Sequence, residues 1–148
     1  MRTVVLVLAF TLAHGVGLGQ GKPSLSLYER LGRYDGIAKI ADEYLKGIRT
    51  DPQMTRFSGR GTDSLARARQ LLKDQWCALT GGPCAYIGRD MRTAHGGLGI
   101  TDADWSLSMK HLATALEKCR VSGTDKDEFL ALIDSLRQQF VEKDATKQ

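Results

Sequence analysis

The side chain best placed for chemistry in this sequence is His95, because it lies in a segment rich in glycine. Six glycines flank it: Gly81, Gly82, Gly88, Gly96, Gly97 and Gly99. Glycine tolerates backbone conformations that other residues avoid, so we expect a loop here that approaches its neighbours closely. A neutral imidazole held in such a loop can bind a metal ion, whereas most lone histidines are ordinary surface or core residues.

A second candidate group, the hydroxyl of Tyr44, lies on the apolar face of a predicted helix. The apolar residues of that helix recur at intervals of three and four: Ile37, Ile40, Ala41, Tyr44, Leu45 and Ile48. The spacing predicts an amphipathic helix that Asp35 caps and that ends near Asp51. Composition alone favours a core tyrosine whose hydroxyl reaches water over one that donates a hydrogen bond to a ligand.

The segment 80–101 carries several motifs around the histidine. They are Gly81-Gly82-Pro83, Tyr86, Gly88, the run from Met91 to His95, and Gly-Leu-Gly-Ile-Thr at 97–101. Together these residues resemble the proximal segment of the truncated haemoglobins of group I. In that family the histidine that matches His95 is the ligand of the haem iron.

The resemblance also covers the opposite, distal side of the haem. Truncated haemoglobins carry a tyrosine at the position of Tyr44 and, thirteen residues later, a phenylalanine that packs on the haem; here this residue is Phe57. The resemblance implies that Tyr44 donates to a bound ligand. Ala68 and Leu72 match positions where many relatives carry glutamine or another polar residue. No second protein donor is therefore expected beside Tyr44.

Several helices are predicted to position these groups. Ser26 and Glu29 form a capping-box pattern for a short first helix, and Thr62 and Asp63 are expected to cap a third. Further caps are expected at 101–104 and at 124–127, and Phe140 is expected on the buried face of the last helix. Before His95 the chain is expected to be mostly irregular, and no run alternates as a strand does. The chain is therefore predicted to be all-α, and the resemblance, which spans residues 24–141, makes it the two-over-two truncated globin sandwich.

The resemblance implies non-covalent haem b, and the absence of a Cys-x-x-Cys-His motif excludes cytochrome-type attachment. The third helix carries an apolar stripe that is expected to form the distal wall: Leu65, Ala68, Leu72, Trp76 and Leu79. The candidate haem-contacting residues are Phe57, Ala68, Leu72, Trp76, Met91, Ala94, Ile100, Trp105 and Leu112. Arg89 or Arg92 is a candidate cation for the haem propionates. His111 is interpreted as a surface residue, so His95 remains the proximal candidate.

The function that the resemblance implies is reversible binding of dioxygen at a five-coordinate ferrous haem, with His95 proximal and Tyr44 distal. Oxidation of nitric oxide to nitrate is a further implied activity. It needs an external reductant, because the sequence contains no flavin or nicotinamide domain. Two alternatives stay open: a haem carrier or sensor partner without redox turnover, and a helical interaction module without a cofactor.

The first twenty residues have the pattern of a secretory signal peptide. Arg2 is their one charged residue, 3–13 is almost entirely apolar, and the segment 17–20 is mostly small and polar. Cleavage after Gly19 or Gln20 predicts an exported protein, periplasmic or extracellular, without a stable membrane span. An uncleaved membrane anchor is the alternative. The net charge of +4 is too small and too dispersed to indicate nucleic-acid binding. Arg67, Arg69 and Lys73 recur at helical spacing and are interpreted as a solvated face, not as a binding stripe.

The cysteines bear on both export and the loop before His95. Cys77 ends the third helix and Cys84 follows Gly81-Gly82-Pro83, so the chain reverses between them. In an oxidising compartment we expect these two to form a disulfide and Cys119 to stay free. Two buried thiols are the alternative. After the globin domain, the tail at 142–148 is expected to fray.

Overall fold

The computed structural model describes residues 24–60 and 63–142, and within these ranges it contains helices and no strand. Six α-helices follow one another along the chain: α1 Leu27–Arg30, α2 Arg33–Thr50, α3 Leu65–Leu79, α4 Met91–His95, α5 Asp102–Lys118 and α6 Gly123–Asp134. Two short 3₁₀ helices lie at Thr55–Phe57 and Arg137–Gln139. The predicted signal peptide, residues 1–20, lies outside the described residues.

Side-chain caps set most of the helix starts. Ser26 and Glu29 form the predicted capping box of α1, and Thr101 forms another with Asp104 at the start of α5. α3 is capped by Ser64, whose side chain accepts a hydrogen bond from the amide of Arg67, and not by Asp63 as predicted. Thr62, the other predicted cap, lies outside the described residues. The helices therefore begin close to the predicted positions, with the capping residue differing by one or two places.

The start of α2 differs because of glycine. The helix begins directly after Gly32, which adopts the left-handed conformation at φ 86°, so Asp35 lies inside the helix and does not cap it. A side chain at Gly36 would place its Cβ only 1.8 Å from the carbonyl oxygen of Leu31. The missing side chain lets the end of α1 approach α2 closely.

The core forms where α2 crosses its neighbours. α2 packs against α3 and α5, α5 packs against α6, and α1 contacts both α2 and α6. The largest side chains that are completely enclosed come from four helices: Ile37, Ile40, Cys77, Leu112, Leu116 and Phe129. This arrangement places one helix pair across another, as the all-α prediction requires.

The face of α3 that meets α2 is more polar than predicted. Arg69 donates to both carboxylate oxygens of Asp42, and Lys73, which is only 6 % exposed, lies 3.3 Å from the same carboxylate. These cations were expected on a solvated face, and for Lys73 that expectation was wrong. Because the polar cluster turns toward α2, Leu65 and Ala68 lie on exposed surface instead of in an apolar wall.

The end of the described chain is tied back to the loop after α4. The backbone amide of Glu142 donates to the carbonyl of Ile100 at 2.9 Å, and its carboxylate accepts from the amide of Gly99 at 3.1 Å. The prediction that the tail frays from 142 was wrong for this residue, because backbone and side chain are both bonded. The remainder of the tail, 143–148, lies outside the described residues.

The predicted disulfide is confirmed. Cys77 and Cys84 are bridged, with their Cα atoms 5.8 Å apart, and Cys119 is free. A Cβ at Gly82, between them, would lie 2.6 Å from the ring of Tyr28 and 2.7 Å from the Cys77 sulfur. Only glycine therefore fits the turn that leads from α3 toward the His95 segment.

We expect Cys84→Ser to lower the free energy of unfolding by about 2 kcal/mol, because the bridge restricts a short loop of the unfolded chain. Chemical denaturation of the oxidised protein measures this loss. The matched control is Cys119→Ser, which removes a cysteine that takes part in no bridge. Equal stability of Cys84→Ser and the parent would show that the turn is held without the disulfide.

Among the described residues, no helix combines the length and the apolar character needed to cross a bilayer.

Candidate functional site

His95 lies at the end of α4, a helix of five residues that was expected to be irregular. Asp90 caps the helix, because its carboxylate accepts from the backbone amide of Thr93 at 2.9 Å and from the hydroxyl of Thr93 at 2.6 Å. The capping pattern was readable in the sequence, but so short a helix gives no periodic signal. The helix fixes the backbone on which the imidazole is carried.

The imidazole of His95 is oriented by the backbone of its own helix. Nδ1 lies 3.0 Å from the carbonyl oxygen of Met91. A carbonyl only accepts, so Nδ1 carries the proton, and Nε2 has the lone pair of a neutral ring. Burial lowers the pKa of His95 below its ordinary value and so favours this neutral form. In the described part of the chain Nε2 has no hydrogen-bond partner, which leaves it available as a ligand.

Two aromatic rings support the imidazole. The ring of Phe140 lies 4.4 Å from that of His95, and the ring of Trp105 lies 5.0 Å from that of Phe140. The indole nitrogen of Trp105 donates to Asp134 at 2.7 Å. Phe140 was predicted to belong to the buried face of the last helix, but α6 ends at Asp134, and the following turns carry Phe140 to the histidine instead.

Tyr44 lies on α2, and its half-buried ring packs against the hydrophobic core. Its hydroxyl oxygen is 2.7 Å from the hydroxyl of Ser108 on α5, and its ring centroid is 5.3 Å from that of Trp76 on α3. Burial raises the pKa of Tyr44, so the phenol stays protonated and can donate. Ser108, three residues after Trp105 on α5, was not among the candidate site residues. Its bond to Tyr44 does not test the expectation that the ligand has no second protein donor, which stays a prediction.

The other candidate haem-contacting residues fall into three groups: buried, half-buried and exposed. Trp76, Met91, Trp105 and Leu112 are buried, and Phe57, Leu72, Ala94 and Ile100 are half-buried. Ala68 and Arg92 are exposed. Met91 also lines a cavity of about 370 Å³ between the end of α3 and the C-terminal 3₁₀ helix, together with Leu79, Tyr86 and Leu136. Apart from Ala68, the apolar candidates therefore have the burial expected of pocket or core residues.

The two candidate cations for propionates are both engaged by protein groups. Arg92 donates to the carbonyl of Gln138 at 3.1 Å, and Arg89 lies 3.2 Å from the carboxylate of Asp63. Both side chains are exposed near α4.

His111 was interpreted as a surface residue, and this was wrong in part. Its ring is 21 % exposed and its Nε2 lies 2.7 Å from the carboxylate of Asp51, just beyond the end of α2. Gly47 allows this approach, since a Cβ there would be 2.9 Å from Nδ1 of the ring. His111 therefore links α5 to α2 and is occupied by a carboxylate, unlike the Nε2 of His95.

The family comparison decides what kind of protein this is. Residues 26–142 match the family described as bacterial-like globin. The chain belongs to the bacterial-like globins. The globin is 30 % identical to a group 1 truncated haemoglobin of Mycolicibacterium paratuberculosis, over 82 % of this chain and 88 % of that protein. It is 29 % identical to a group 1 truncated haemoglobin of a Nostoc species, over 80 % of this chain and 98 % of the relative.

Solved structures share the fold of this globin. A 2/2 haemoglobin from a Synechococcus species, described in the cyanomet state with covalently attached haem, has a TM-score of 0.69 and 28 % identity, covering 78 % of this chain and 95 % of that one. The Fe(III) truncated haemoglobin of Tetrahymena pyriformis has a TM-score of 0.73 and 22 % identity, covering 80 % and 100 %. The predicted two-over-two globin fold is thereby confirmed.

The donor set of this globin fits haem. The described residues contain no group of three or more His, Cys, Asp or Glu side chains that could hold a bare metal ion. A single histidine with one nitrogen available suits an iron whose other ligands come from a porphyrin. Globins bind haem and small gas ligands such as dioxygen, so family membership makes this a haem-binding globin.

Proposed function

We propose that this globin binds haem b non-covalently through Nε2 of His95 and binds dioxygen reversibly on the opposite face, with Tyr44 as hydrogen-bond donor. The observation that carries the proposal is the state of His95: Nδ1 bonded to the carbonyl of Met91 at 3.0 Å, and Nε2 without a protein partner. Of the two histidines in the described residues, the other, His111, has its Nε2 bonded to Asp51.

The residues around His95 fix its tautomer and the orientation of its ring, so that Nε2 is the nitrogen that can bind iron. The carbonyl of Met91 holds the Nδ1 proton, which sets the tautomer and makes Nε2 a better electron donor. Phe140, whose ring lies 4.4 Å from the imidazole at a tilt of 48°, limits rotation of the imidazole. When bound, the ferrous haem supplies an open position at which a gas ligand can be held.

The distal residues act on the charge of the ligand. Haem would polarise a dioxygen molecule held in the site, and the phenol of Tyr44, which is protonated, would donate a hydrogen bond to it. Trp76, 3 % exposed and in contact with the Tyr44 ring, keeps water from that side of the pocket. The hydrogen bond is then made in a site of low dielectric, where it is stronger than in water.

The attachment of haem can be tested directly. We expect acidified butanone to extract all of the haem from the purified protein, since the proposed bond to the chain is the coordination by His95 alone. The control is a cytochrome with covalent haem, which retains its colour in the aqueous phase. Haem that stays with this chain would mean a covalent link.

Nitric oxide is proposed as a second reactant. One dioxygen and one nitric oxide form one nitrate if one electron is supplied, and this electron must come from an external reductant. We expect the reduced, dioxygen-loaded protein to consume one equivalent of nitric oxide and produce one nitrate in stopped flow. A protein that only releases dioxygen under these conditions would act in ligand binding alone.

We also propose that the chain is exported to the periplasm or the outside of the cell. The support is the signal pattern of residues 1–20 together with the Cys77–Cys84 disulfide, which suits an oxidising compartment. N-terminal sequencing of the exported product should begin near Gln20 or Gly21. Soluble cytoplasmic protein that retains Met1 would reject export.

A further inference from the structure

The hydroxyl of Ser108 is half-buried at the contact between α5 and α2 and is not hydrogen-bonded to its own helix. Its Oγ is 2.7 Å from the hydroxyl of Tyr44, across the α2–α5 contact. Ser106, two residues earlier and exposed, donates instead to the carbonyl of Asp102 at 2.9 Å, and Thr114 does the same to Lys110 at 3.0 Å. Ser108 therefore differs from these neighbours on α5 in directing its hydroxyl to another helix.

The position of Ser108 is fixed from the proximal side as well. One turn earlier on α5, Trp105 contacts Phe140, whose ring lies 4.4 Å from that of His95. The indole of Trp105 is held by Asp134 on α6. α5 therefore places Trp105 against the aromatic ring that contacts His95. One turn later, the same helix places the Ser108 hydroxyl against Tyr44.

The hydroxyls of Tyr44 and Ser108 can each donate and accept a hydrogen bond, and this determines how Ser108 can act on Tyr44. Each has one proton to donate and an oxygen that accepts. When the Tyr44 hydroxyl donates its hydrogen bond to a gas ligand, its oxygen can still accept a hydrogen bond from the Ser108 hydroxyl. A hydroxyl that accepts one hydrogen bond also donates more strongly, since linked hydrogen bonds polarise one another.

We propose that Ser108 is the positioning residue of the distal site: its hydroxyl donates to the Tyr44 oxygen and thereby directs the Tyr44 proton at the gas ligand. The inference rests on the proposed distal role of Tyr44. Without a ligand, the Tyr44 hydroxyl donates its hydrogen bond to the oxygen of Ser108, so the phenol keeps a hydrogen-bond partner. The pair thus supplies an aligned donor although Leu72 occupies the position of the polar residue of many relatives.

Dioxygen dissociation rates of the haem-loaded protein test this. Ser108→Ala should raise the rate about two- to tenfold, the effect of one neutral hydrogen bond. In the Tyr44→Phe background the same substitution should have no further effect, because there is no phenol to position. Ser106→Ala is the matched control and should leave the rate unchanged. An unchanged or lowered rate in Ser108→Ala, or an equal rise in both backgrounds, would overturn the proposal.

A second readout does not depend on gas binding. In the ferric haem-loaded protein, Ser108→Ala should lower the denaturant midpoint in the parent and not in the Tyr44→Phe background, since both variants remove the same bond. Additive losses would mean that the hydroxyls are not bonded and would overturn the proposal. If Tyr44→Phe itself leaves dioxygen release unchanged, the distal role fails and the positioning role with it. If Tyr44→Phe accelerates release and Ser108→Ala does not, only the positioning role fails.

Discussion

Replacing Tyr44 with phenylalanine is expected to accelerate the release of dioxygen from the haem-loaded protein by roughly ten- to hundredfold. The substitution keeps the ring that packs 5.3 Å from Trp76 and removes only the hydroxyl. A hydrogen bond to a partly charged ligand in a water-poor pocket contributes about 1 to 3 kcal/mol, and its loss acts on the bound state. The change should therefore be seen in the dissociation rate more than in the association rate.

The matched control is Tyr34→Phe, on the same helix. The Tyr34 hydroxyl bonds to Asp74 and Gln70 on α3, away from the contacts of His95 and Ser108. Stopped-flow mixing of the dioxygen-loaded protein with carbon monoxide measures the release. We expect Tyr34→Phe to release dioxygen at the parent rate. Equal rates in Tyr44→Phe and the parent would remove Tyr44 from the distal role.

Local signals in the sequence were sufficient for much of the fold. The capping boxes at Ser26 and Thr101 are contained within four residues, and the reversal between Cys77 and Cys84 within eight, so each was predicted correctly. The start of α2 was placed too late because Asp35 is a good capping residue by type. The helix instead starts directly after Gly32, whose left-handed conformation glycine allows but does not require.

The parts of the site that were missed depend on contacts between distant elements. Phe140 reaches His95 only because α6 ends early, and Ser108 meets Tyr44 only because α2 and α5 cross at that turn. Lys73 was expected in solvent, yet the carboxylate of Asp42 on another helix satisfies it when buried. In each case the residue type allowed two environments, and packing across the fold selected one.

The second large effect is expected at His95. His95→Gly should lose most of its bound haem, because the described residues offer no comparable nitrogen to the iron: Nε2 of His111 is bonded to Asp51. Glycine leaves space for an added imidazole, which should restore the histidine-ligated spectrum. Rescue by imidazole distinguishes loss of the iron-binding side chain from loss of the fold, because a misfolded chain would not regain the haem spectrum.

The measurement that tests the central claim most directly is the visible spectrum of the purified parent, His95→Gly and His111→Ala, with haem content determined on the same samples. We predict one haem per chain and the same Soret band for the parent and His111→Ala, and loss of that band in His95→Gly with recovery on adding imidazole. A parent-like band in His95→Gly without imidazole, or its loss in His111→Ala alone, would contradict the assignment of His95 as the haem ligand.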